Sequence, residues 1–222
     1  MNIVTEIFLD EGSIYDLYKY QNDSDNSYYL SDTRIKQEKN SQFIGDTITL
    51  GGKFVRNMEE SILNGEGADA RFNGFFFAED KHQVDNHILV DHAVPNCTSD
   101  QLYKGILRDF AKGNFNGKIL VREDAQNTNA YQTNRNILLS DNARINTKPQ
   151  LEIYADDVKC SHGATTGYLD ESSMFYLMAR GIPEQKARAL LLNAFAGEVI
   201  NRMKIDSLRE SIAESVEKRL HV

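Results

Sequence analysis

Cys160 and His162 stand two positions apart in the stretch Val158-Lys159-Cys160-Ser161-His162-Gly163-Ala164-Thr165-Thr166-Gly167, in a chain that holds only 2 cysteines and 5 histidines. In an extended strand, residues at this spacing share a face and lie roughly 6.5–7 Å apart. A thiol and an imidazole held side by side are metal ligands, but a closed tetrahedral shell needs about four. A metal handled here would need further ligands from another chain or from a substrate. The pair therefore reads as half of a shared site.

The other candidates are weaker. His82, His87, His92 and Cys97 recur at intervals of five, which on one strand places neighbours on opposite faces. All four could not converge without bends, and satisfied structural histidines are the better reading. Asp156 and Asp157 are adjacent carboxylates, and adjacent strand residues diverge, so a solvated turn accounts for them. No Ser-His-Asp set and no phosphate-cradling glycine loop stands out.

Composition narrows the setting. A formal charge of −8 without a long basic run argues against a nucleic-acid partner, which needs clustered Lys and Arg. Two cysteines 63 positions apart make neither a disulfide framework nor a four-ligand zinc site, and fit a reducing cytoplasm. No apolar run approaches the ~20 residues that span a bilayer. The start, Met1-Asn2-Ile3-Val4-Thr5-Glu6, lacks the pattern of a signal peptide.

The elements that must position Cys160 and His162 come from both sides of it. Before it, β-type runs occur at 3–9, 14–20, 27–37, 43–55, 70–78, 83–93, 118–122, 128–133, 136–140, 143–147 and 150–154, bounded by Gly, Asn or Asp. Pro95 and Pro149 fall beside expected strand ends. Residues 99–112 have a helical period that Gly105 weakens. Apolar triplets at Phe75-Phe76-Phe77, Ile88-Leu89-Val90, Ile119-Leu120-Val121 and Ile137-Leu138-Leu139 are spaced irregularly, from 13 to 31 residues. Pattern alone leaves a β-sandwich and a parallel β-helix both open.

After it, three helices are expected. Asp170 caps the first, through Glu171–Arg180, and Gly181 ends it. Pro183 opens the second, whose Ala187, Leu190, Leu191, Ala194, Phe195 and Val199 form one stripe. The third covers about 206–220 with Leu208, Ile212, Val216 and Leu220 at intervals of four. Residues 174–183 carry more apolar surface than one short helix can bury, which marks a docking surface.

Several ordered runs carry a resemblance: Asp85-Asn86-His87, Val90-Asp91-His92, Gln101-Leu102-Tyr103-Lys104-Gly105, Phe115-Asn116-Gly117-Lys118-Ile119, Ala130-Tyr131-Gln132-Thr133-Asn134, Lys148-Pro149-Gln150-Leu151-Glu152-Ile153 and Ala155 through Thr165. Together they resemble the SufB/SufD family of iron–sulfur cluster assembly proteins, densely from 84 to 200. The segment Asn142-Ala143-Arg144-Ile145-Asn146-Thr147 has alanine where the SufB branch has a cysteine, and Cys160-Ser161-His162-Gly163-Ala164-Thr165 is similar to the SufD branch.

The resemblance implies a mainly β chain: a right-handed parallel β-helix over 1–166, with an N-terminal family region absent, and a C-terminal helical domain over 167–222. It implies a non-enzymatic, cytoplasmic scaffold that pairs with SufB near Cys160 and His162. The ATPase SufC would dock on Met174, Phe175, Tyr176, Arg180, Ile182 and Pro183. No cofactor is expected in the isolated chain, only transient iron or a cluster in the complex. An unpaired edge strand at the start invites pairing with a second copy. The rival reading is a β-solenoid enzyme acting on polysaccharide, which needs acidic and basic side chains along an external groove.

Overall fold

The computed structural model describes residues 1–220. Its strands are β1 (Asn2–Leu9), β2 (Ile14–Gln21), β3 (Tyr28–Gln37), β4 (Gln42–Thr49), β5 (Phe54–Leu63), β6 (Asp69–Ala78), β7 (Gln83–His92), β8 (Thr98–Leu107), β9 (Lys112–Val121), β10 (Thr128–Leu138), β11 (Arg144–Ile153) and β12 (Val158–Gly167). Consecutive strands go to opposite sheets. The odd strands form one parallel sheet in order β1-β3-β5-β7-β9-β11, and the even strands form a second in order β12-β10-β8-β6-β4-β2. Each coil of this parallel β-solenoid is thus two strands and two corners. The in-register step runs from 26 residues (Tyr28 to Phe54) to 32 (Lys112 to Arg144).

This geometry decides between the two architectures that pattern left open, and it corrects three local readings. Residues 99–112 hold no helix: β8 runs through Gly105, where a Cβ would stand 2.2 Å from the Phe76 ring. Glycine here is a packing requirement of the strand interior. The expected break between 147 and 150 is absent, because β11 runs through Pro149. An outermost strand has one bonded edge, so a missing N–H is tolerated there. Residues 54–63, which the sequence pattern passed over beyond 55, form β5.

Between the sheets, side chains alternate inward and outward with the strand period. Phe43, Phe72, Tyr103 and Phe115 fill the middle of the interior with Ile35, Leu63, Ile88 and Val90. Nearer the first coil the interior is polar. The Lys19 Nζ lies 3.1 Å from the Glu59 carboxylate, which also accepts from the Thr47 hydroxyl at 2.9 Å and from the Tyr103 phenol at 2.6 Å.

Helices α1 (Glu171–Ala179), α2 (Glu184–Ile200) and α3 (Asp206–Leu220) follow β12. The Asp170 carboxylate caps α1 through the Ser173 backbone N–H at 2.7 Å. The stripe expected on α3 is the one that packs: Ile212, Val216 and Leu220 are buried and Leu208 is packed against the same cluster. The stripe on α2 is rotated from the expected one. Ala187 and Val199 are buried, but Leu190 is exposed, and the sheet is met by Leu192, Ala196 and Ile200. These side chains close over Ile48, Phe75, Phe77, Leu102 and Ile106 of the even-numbered sheet and over Leu50, just past β4. One face of the solenoid is therefore roofed by α2 and α3.

The roof is also pinned by charge. Arg202 donates to Asn73 and Asp100 at 2.9 and 2.6 Å, and Lys204 reaches Asp16 at 2.9 Å. Beside them Asp46, 1 % exposed, accepts from Asn73 at 2.9 Å. Burial pushes the Asp46 carboxyl up to about 6, and Asp16 adds to this, against the Asn73 bond and the Arg202 and Lys204 charges. An acid with a raised folded-state pKa stabilises the fold while protonated, and that stability is lost as pH rises from about 4 through 6. Asp46→Asn keeps the acceptor without the charge. It is expected to raise the unfolding free energy at pH 7 by about 1–3 kcal/mol and to flatten its pH dependence between 4 and 6. Urea unfolding at several pH values measures both.

Candidate functional site at the last coil

β12 pairs on one side only, with β10, in a register that sets Cys160 against Ala130 and His162 against Gln132. Cys160 and His162 have the same parity, and both face the interior side of the last coil. Cys160 is half-buried against an apolar cluster that includes Ile119, Val121, Ala125, Ala130 and Ala155. Burial pushes its thiol pKa up, against a hydrogen bond from the Ala130 backbone. The thiol therefore holds its proton at neutral pH, and only a strong electrophile or metal could displace it. His162 is exposed, and its imidazole makes no hydrogen bond or ion pair among the described residues. No third His, Cys, Asp or Glu joins the two to form a metal-binding group among those residues.

Beneath the pair lies an amide ladder that sequence reasoning did not single out. The Gln132 amide donates to the Gln101 Oε1 at 2.8 Å, one coil below. Both glutamines are buried, and the Gln132 Oε1 and Gln101 Nε2 have no partner. The only sequence signal was the place of both residues in motifs, since a lone Gln on a strand carries no other mark.

The remaining candidates disperse. His82 is buried with its ring 3.8 Å from Asp25, and His87 lies half-buried on the outer face of the odd-numbered sheet. His92 is inside, bonded to the Ser99 hydroxyl at 2.9 Å, with burial holding it down to about 4 and neutral. Cys97 is fully buried near the Gly65 carbonyl at 3.4 Å. Asp156 and Asp157 sit in the exposed turn before β12. On the outer face of the odd-numbered sheet, where a polysaccharide groove would run, carboxylates are tied up: Asp85 to Arg56, Asp91 to Arg122, Glu60 to Arg34 and Glu152 to Lys118.

At the helical end, α1 buries none of its residues. Phe175 is 74 % and Tyr176 56 % exposed, which makes this the most apolar exposed helix surface. The Arg180 guanidinium stacks 4.6 Å over the Tyr176 ring. Gly181 takes a left-handed φ of +84° that ends the helix, and half-buried Ile182 and exposed Pro183 lead into α2. A groove lined by Leu138, Leu139, Leu169, Met174 and Phe175 runs between α1 and the end of β10.

Comparison with known proteins decides the family. The model of the SUF system FeS cluster assembly SufBD core domain matches residues 1–195. The chain belongs to the SufBD core family. A SufBD family protein of Synechocystis is 38 % identical over 98 % of this chain and 48 % of its own length. The SufD protein of Escherichia coli is 35 % identical over 87 % of this chain and 46 % of its own. The chloroplastic protein ABCI7 of Arabidopsis thaliana is 33 % identical over 97 % of this chain and 46 % of its own. The chain thus spans about half the length of the curated relatives it matches. Among its described residues no helix is long and apolar enough to cross a membrane. Within the SufBD core, α2 and α3 pack on the even-numbered sheet, while β12 is bonded along one edge and α1 buries none of its residues.

Proposed function

We propose that this SufBD core chain acts as a SufD-like, non-enzymatic scaffold in the cytoplasm. It pairs with SufB across the last coil and receives the SufC ATPase on α1 and the turn after it. The observation that carries the reading is the open coil: β12 has a free edge, and Cys160 and His162 share one face of it. A partner strand that extends the sheet would bring the missing ligands and exclude water in one step. Iron or a nascent cluster is the cargo there, for which a neutral imidazole and a metal-displaced thiol are suitable donors. The docking role of Met174, Phe175, Tyr176, Arg180, Ile182 and Pro183 is supported by an apolar helix with no buried face.

His162→Ala removes an exposed side chain and is expected to leave the fold and the copurification of SufB and SufC intact. Cluster transfer to a target apoprotein by that complex should fall about tenfold or more, as for the loss of a metal-site group. Normal maturation by an intact mutant complex rejects the role of His162. Failure of the wild-type chain to copurify with SufB rejects the pairing.

A further inference from the structure

We propose that Gln132 is a positioning residue that holds the His162 imidazole in a single tautomer at the open end of the solenoid. The inference rests on His162 being a ligand of the shared site, and it adds the group that decides which ring nitrogen faces the cargo. Gln132 stands directly below His162 in register, and adjacent parallel strands are only about 4.8 Å apart. Its Nε2 donates to the Gln101 Oε1 at 2.8 Å, which leaves Oε1 as the atom of this amide without a partner. Gln132 is 1 % exposed, so water does not reach that oxygen freely. A buried acceptor without a donor is unfavourable.

The inward positions of β12 offer few donors. Ala164 has none, and Cys160 lies over Ala130 within the apolar cluster. Farther along β10 the amides are occupied, since Asn134 donates to the Tyr103 carbonyl at 3.1 Å and Asn136 donates to Asn134 at 2.7 Å; the Gln101 Nε2, without a partner, lies on the coil below and not on β12. His162 alone carries an N–H above Gln132. A neutral imidazole has one donor and one acceptor nitrogen. The two groups are not bonded in the structure; a rotation of the His162 side chain that aims its N–H at Oε1 would turn the lone pair of the other nitrogen out of the coil. Metal-binding histidines are oriented in this way by a carbonyl behind the ring.

The test uses the 222-residue chain labelled with 15N-histidine, at about pH 8, where an ordinary imidazole is neutral. Long-range proton–nitrogen spectra distinguish a fixed tautomer from an exchanging pair, and His162→Asn assigns the signals. Wild type is expected to show one protonated and one bare nitrogen. Gln132→Leu should collapse the two shifts towards a common average, and Gln132→Glu, which keeps an acceptor, should restore them. A tautomeric average in wild type overturns the proposal without any variant, and so does an unchanged pattern in folded Gln132→Leu. If Gln132→Leu does not fold, the wild-type and Gln132→Glu spectra decide. These outcomes are independent of maturation: a fixed tautomer with fully active His162→Ala keeps the positioning and removes the site.

Discussion

Glu59→Ala is expected to destabilise the fold by about 3–5 kcal/mol, the range for breaking a buried ion pair from one side. Glu59 is 4 % exposed, and three donors converge on it: Lys19, Thr47 and Tyr103. Removing the carboxylate strands an ammonium, a hydroxyl and a phenol in the solenoid interior. The Lys19 side chain is 12 % exposed and so finds little water, which places the loss towards the upper end of the range. Glu59→Gln keeps an acceptor and is expected to cost less. The acid limb provides a second check. Burial pushes the Glu59 carboxyl up, but the Lys19 charge and the Tyr103, Lys19 and Thr47 bonds outweigh it and leave the group below its usual value. A depressed carboxylate stabilises above its unfolded pKa, about 4.3, and loses that stability as pH falls through the folded value. The gap between wild type and Glu59→Gln in urea unfolding should therefore narrow on acidification.

Lys104→Ala should cost about 2–3 kcal/mol, with the damage confined to the roof. The Lys104 side chain is fully buried under α2, where its Nζ meets Glu198 at 2.6 Å and the Phe195 carbonyl at 3.0 Å, 4.0 Å from the Phe195 ring centre. A charge-assisted bond is worth about 1.5–3 kcal/mol and a cation over a ring about 0.5–2. The partner left behind decides the difference from Glu59. Glu198 is 52 % exposed and turns to water, so no charge stays trapped. Lys104→Met, which keeps the aliphatic packing, should lose about half as much. Hydrogen exchange should quicken in α2 and α3 while the central strands remain protected. Uniform loss across strands and helices would show that Lys104 supports the whole stack instead of pinning its cover.

The sequence marked most strands but hid the period that joins them. The triplets at Ile88 and Ile119 lie one full coil apart, on β7 and β9, whereas Phe75 and Ile137 belong to the opposite sheet. Mixing two sheets in one count gave intervals that looked irregular. The corners carried the clearer signal. Gly12, Asn40, Gly67, Asn96 and Asn127 all have left-handed φ, between 54° and 75°, and follow one another at 27 to 31 residues. Only Gly, Asn and Asp enter that region readily, so this column of turn residues is the repeat. Each of these residues alone is an ordinary loop former, which hides the column as a repeat.

At the site, the i, i+2 spacing of Cys160 and His162 was sufficient to place them on one face. Their exposure was not legible, because it depends on β12 being last in its sheet. Lys104 and Gln132 were invisible as functional candidates for a related reason. A Lys on a strand reads as solvated and a Gln as neutral until the element packed over each is known. The α2 stripe failed at Leu190 because three leucines in a row fit more than one helical face, and the sheet beneath selected Leu192.

In a stack of coils each layer is held by its neighbours, and an outermost layer has only one. β12 is such a layer: its order depends on β10 below and on nothing above. Strands bonded along a single edge open more readily than those between two. Any chain that adds the next layer therefore turns a one-sided margin into an interior, and the Cys160 and His162 side chains would lose their freedom when that layer arrives. Under the proposed function, readiness to hold metal would in this way be tied to the presence of company, without a hinge or a moving loop.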